Sequence, residues 1–173
     1  MTIRTWSAVV LAVCAISAPL LAKGPTTRIV ISGPGLSAPV EITDSTLLRQ
    51  FVVWAGAGVT VNGQEQERGF IVDWPKGAVV KRPGELPRYQ VSFYVKYANR
   101  PLESQEERLA YVVMYEPDEA ASAGYVYLPG KGEEHFQLNV ATMRRGREGQ
   151  WFHASDAWNR AARHVLGPRL RHV

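Results

Sequence analysis

Apolar and polar residues alternate most regularly between Tyr89 and Leu128, and this stretch predicts the centre of the fold. Tyr89, Val91, Phe93, Val95 and Tyr97 alternate with Gln90, Ser92, Tyr94 and Lys96, the period of two that a pleated strand imposes. Leu109–Glu116 follows with apolar residues on both faces: Leu109, Tyr111, Val113 and Tyr115 against Ala110, Val112 and Met114. That pattern predicts a central strand covered on each side. Gly124–Leu128 is a shorter third strand, closed by Pro129-Gly130.

Around this centre, Thr27–Ser32 and Pro39–Ile42 predict a hairpin about Gly33-Pro34-Gly35. Asp44 is placed to cap a helix over Ser45–Val53, ended by Gly56 and Gly58. Val59–Arg68 predicts a loop or short hairpin about Asn62-Gly63, Gly69–Trp74 a strand, and Lys76–Pro87 a connection. Ala98–Arg108 is an acidic loop, Phe136–Val140 and Gln150–His153 are further strands, and Arg144–Gly149 is a basic turn. A final helix, capped by Ser155 or Asp156, carries Ala157, Trp158, Ala161, Ala162, Val165 and Leu166 on one stripe and stops at Gly167-Pro168. The fold class predicted is α+β: a mostly antiparallel sheet of five to seven strands, a short helix in the N-terminal half and an amphipathic C-terminal helix.

The first residues change the setting. Arg4, the apolar run Trp6–Ile16, then Pro19 and small residues to Ala22 have the order of a secretory signal peptide, with cleavage after Ala22. Residues 1–22 are thus the expected signal and 23–173 one domain with a short basic tail. An uncleaved anchor is the alternative, though the run is short for a span of about 20 residues. Leu11-Ala12-Val13-Cys14 approximates a lipobox, but Val13 is not the small residue acylation requires. Cys14 is the single cysteine in 173 residues, so the mature chain has no disulfide and stands on its core. With 46% hydrophobic and 21% charged residues, the composition is globular. The localisation expected is periplasmic or secreted, with no transmembrane segment after cleavage.

Motifs for chemistry are sparse. Gly58–Gly63 has the spacing of a Walker loop's glycines but lacks its Lys-Ser/Thr. No G-x-S-x-G elbow occurs, and His153, Ser155 and Asp156 supply triad residue types where capping explains the last two. The metal alternative is Glu133 with His135, sharing one side of an extended backbone, and His153 nearby, without a paired-His motif. The formal net charge of +4 is uneven. Glu103, Glu106, Glu107, Asp118 and Glu119 crowd two loops, while Arg144, Arg145, Arg147, Arg160, Arg163, Arg169 and Arg171 gather toward the end. Arg144, Arg145 and Arg147, with Trp54 and Trp74, are the candidate binding residues, for an anionic envelope component or another envelope protein. An export signal argues against nucleic acid as partner, and no cofactor is implied.

The segments GFIVDW (69–74), RYQVSFYVKY (88–97), GYVYLPGKG (124–132) and QWFHASDAW (150–158) together resemble small exported bacterial proteins to which no activity is assigned. The resemblance implies one folded unit and carries over no functional residue. The functional expectation is a non-catalytic binding or interaction protein of the bacterial envelope. The alternative is an envelope hydrolase or metal-dependent enzyme built on Glu133, His135 and His153.

Overall fold

The computed structural model describes residues 24–61, 63–65, 69–82, 84–96 and 106–170. The expected signal segment, Tyr97, Glu103 and Arg171 lie outside them, as do the side chains of Val61, Glu65 and Pro168–Leu170. The alternation in the sequence becomes a six-stranded antiparallel sheet. Its strands are β1 (Thr26–Ser32), β2 (Val40–Ile42), β5 (Tyr89–Val95), β6 (Arg108–Asp118), β7 (Ala123–Tyr127) and β8 (Trp151–His153), in the order β2-β1-β5-β6-β7-β8. Two further strands, β3 (Thr60–Val61) and β4 (Gln64–Glu65), form a separate small hairpin.

One face of the sheet is the core. Ile29, Ile31, Val91, Phe93, Tyr111, Val113, Tyr115 and Val126 are all fully buried there. The C-terminal helix α3 (Asp156–Leu170) covers it through Trp158, whose ring meets Tyr115 and Phe51 edge to face at 5.7 and 5.2 Å. Such pairs contribute about 0.5–1.5 kcal/mol beyond area burial. Ser155 Oγ caps α3 by accepting the Trp158 N–H. Phe70 closes the same layer against Phe93 and Tyr111.

Four elements depart from the sequence reading, each for a tertiary reason. The helix capped by Asp44, α1, spans only Ser45–Leu48. Beyond it the carbonyls of Phe51 and Val53 accept from Thr26 and Arg145 instead of continuing a helical ladder. Gly69–Trp74 is not a strand. It makes one bridge, Val72 to Ala154, and ends in a 3₁₀ turn over Trp74–Lys76, with Phe70 at positive φ. Phe136–Val140 is helical, inside α2 (Phe136–Thr142). The backbone of α3 continues past Gly167-Pro168 to Leu170.

The ends of the sheet differ. Asp73 and Val79 N–H groups donate to the carbonyls of His153 and Trp151, so the 72–79 segment covers the β8 edge. At the other end, Arg28 on β1 pairs with Glu41 at 2.8 Å and Glu107 at 2.7 Å and lies over Tyr94. Among the described residues no helix is long and apolar enough to cross a membrane.

Candidate functional site

The second face of the sheet carries the polar members of the same alternation. Pairing of Tyr89 with Tyr115 places Arg88 opposite Glu116, and Glu116 continues across the strands to Tyr125 and His153. The next row is Gln90, Met114, Tyr127 and Trp151. Two rows of one pleated face therefore bring charged and aromatic side chains together from four strands.

Glu116 is the centre of this face. It is 1% exposed, yet it is a carboxylate near the end of a strand. Arg82 and Arg88 both pair with it, Arg88 Nε donating at 2.8 Å and Arg82 through Nη1. A buried carboxylate without such partners carries a desolvation cost of several kcal/mol, so the pairing is what permits its burial. Arg82 lies over Trp151, 3.9 Å from the ring centroid, and Arg88 sits 5.4 Å from it. Tyr127 packs on Trp151 at 4.9 Å, and its hydroxyl donates to Glu133 Oε1 at 2.9 Å. Burial first, and the Glu133 hydrogen bond second, push the Tyr127 phenol above its ordinary pKa.

The clamp borders a cavity of about 370 Å³ lined by Arg82, Gly84, Glu85, Leu86, Arg88 and Glu116. Glu116 engages one N–H group on each arginine. The others have no protein acceptor among the described residues. Two guanidinium forks, fixed by a carboxylate and an indole ring, suit a planar or tetrahedral oxyanion entering from that cavity.

The residues singled out from the sequence fall in several places. Arg144 and Arg147 are exposed, as a basic surface requires. Arg145 is not on that surface: it is 4% exposed, and its guanidinium donates to the carbonyls of Val53, Ala55 and Ala57. The rings of Phe70, Tyr111 and Trp74 surround it at 4.5, 5.2 and 5.3 Å. Trp54 is buried, its indole N–H donating to Gly24 O at 2.9 Å. Trp74 is half-buried, bonded to Gly69 O and packed on Phe152.

The metal candidates also separate. Glu133 spends both oxygens, on Tyr127 and on the Gly130 N–H at 2.6 Å. His135 lies 3.4 Å from both Gln90 and Glu134, whereas His153 packs on the Tyr125 ring. Gln90 stands on β5 and His153 on β8, three strand spacings or about 14 Å apart. Among the described residues no three His, Cys, Asp or Glu side chains gather as a metal site.

Arg82, Arg88, Glu116 and Tyr127 are not among the candidate residues of the sequence. The legible signal was Arg88 at the start of one strand of a hairpin and Glu116 at the end of its partner, opposite charges that the register makes neighbours. Comparison with protein-family models, with curated proteins and with solved structures returns no match.

Proposed function

We propose that the protein is an exported, non-catalytic binding protein of the bacterial envelope, and that the Arg82–Glu116–Arg88 clamp is where it holds an anionic envelope component. The observation that carries the reading is the pair of partly exposed guanidinium groups, prepositioned by a buried carboxylate beside a 370 Å³ cavity. Exposed arginines elsewhere, Arg144 and Arg147 among them, add long-range attraction that salt screens. Glu85, exposed on the cavity wall, opposes an anion and sets a direction for a second test.

The experiment is a titration of the mature protein with phosphate-bearing and carboxylate-bearing envelope polymers, and with a neutral glucan, at low and physiological ionic strength. Arg88→Ala should weaken polyanion binding by about tenfold or more, the loss of a charge-assisted contact. Arg82 stays on Glu116 in that variant, so the fold should be retained. Glu85→Gln should tighten binding. Equal affinity for the neutral glucan, or no change with Arg88→Ala, overturns the reading.

A further inference from the structure

A larger cleft lies away from the clamp, where the β6–β7 turn meets the later part of α3. Its volume is about 430 Å³, within the range of roughly 300–1,000 Å³ typical of small-molecule sites. Pro117, Ala162 and Leu166 give it an apolar lining, and Tyr115 contributes a ring whose hydroxyl is already committed to Asn159 at 3.1 Å. Burial pushes that phenol far above its ordinary value, so it remains a neutral wall.

Charges of both signs stand on the same cleft. Asp118 is 9% exposed. One of its oxygens accepts the Ala121 N–H at 3.0 Å, and the other has no protein donor among the described residues. Glu119 beside it is exposed, its carboxylate likewise without a donor among the described residues. Arg163, on α3, uses one nitrogen on the Ser122 carbonyl at 3.1 Å and keeps its remaining N–H groups free of described acceptors. Asp118 and Arg163 do not pair with each other among the described residues, although both line one cavity. An apolar pocket with an uncommitted carboxylate oxygen and an uncommitted guanidinium edge is complementary to a molecule carrying the opposite charges in the same arrangement.

We infer that this cleft is a binding site for a small zwitterion with an apolar side chain, the chemistry of a free aliphatic α-amino acid. The ammonium group meets Asp118 with Glu119, the carboxylate meets Arg163, and the side chain displaces water from Pro117, Ala162 and Leu166. The assignment is independent of the anion clamp, since the two sites share no lining residue.

The test uses L-leucine and two truncations of it, 4-methylpentanoate without the ammonium group and isopentylamine without the carboxylate, followed by calorimetry or amide chemical shifts on the mature protein. Saturable leucine binding is expected in the millimolar range or tighter, with each truncation weaker by about tenfold or more, because one charged partner is then left unmatched. Arg163→Gln should abolish the preference for leucine over isopentylamine, and Asp118→Asn should reduce the preference over 4-methylpentanoate, Glu119 keeping the remainder. Arg163 is exposed, and the amide oxygen introduced by Asp118→Asn still accepts the Ala121 N–H, so both variants should keep the wild-type melting temperature. No saturable leucine binding by the wild type, or equal affinity for all three compounds, overturns the inference.

Discussion

Arg145 shows how much one residue's surroundings decide. Within Arg144-Arg145-Gly146-Arg147 the three arginines are equivalent in sequence, yet only Arg145 is buried. What separates it is a distant backbone: a Cβ on Gly58 would stand 2.8 Å from Arg145 Cα, so only glycine lets the two segments approach. Burial lowers the Arg145 pKa from its ordinary value, and the carbonyls of Val53, Ala55 and Ala57 compensate the desolvation. Replacing it should therefore act on stability. Arg145→Met should cost about 3 kcal/mol or more by leaving three carbonyls without donors, whereas Arg144→Ala and Arg147→Ala should stay within about 0.5 kcal/mol. Urea unfolding of the three variants checks this, and equal midpoints would sink the structural role of Arg145. Local sequence could not show that contact, because the partners lie about ninety positions away in the chain.

At the scale of elements, the long alternations were legible and the short ones were not. Tyr89–Val95 and the strand after it contain enough residues to fix a period of two. Phe136, Leu138 and Val140 also alternate, but five positions cannot separate that period from a helix. The helix wins because of Asn139. Its side-chain amide donates to Val112 O at 2.7 Å and accepts the Val112 N–H at 2.8 Å. Pairing of β6 with β7 stops at Met114, opposite Tyr127; continuing that register would set Pro129, which has no N–H, opposite Val112, and Asn139 supplies both hydrogen bonds to Val112 instead. A strand at 136–140 would not bring this amide there from a helical turn. Asn139→Leu should leave both buried backbone groups unpaired and cost about 2–4 kcal/mol. Amide exchange at Val112 should accelerate in that variant more than at Val91, which has strand partners on both sides, Ile31 and Val113. An unchanged Val112 exchange rate would show that α2 is held by other contacts.

Across the whole molecule, the two sheet faces divide the work. The face under α3 is filled with large apolar and phenolic side chains, while the opposite face carries the arginine clamp. That division was written in the parity of β5; which polar residues converge was not, since it depends on the β6–β7–β8 register and on a connection, residues 77–88, with no periodicity of its own. The filled face has a consequence at high pH. Burial raises the phenol pKa of both Tyr111 and Tyr115 above the ordinary 10.0, with the nearby charges of Arg145 and Arg163 respectively opposing part of the shift. A folded pKa above the unfolded one means that the native state holds protons the unfolded chain has released. The stabilisation these two tyrosines give is then fully present below about pH 10 and is lost progressively as pH rises above it. Absorbance at 295 nm should accordingly show exposed tyrosines ionising first and a late group ionising together with loss of helical circular dichroism. Tyr115→Phe should make alkaline unfolding less steep, because one fewer proton is released on unfolding, although it also forgoes the bond to Asn159 and lowers stability at neutral pH. If all tyrosines titrate near 10.0 before the fold is lost, neither phenol is sealed in the core and the packing of α3 on β6 is looser than Trp158 at 0% exposure implies.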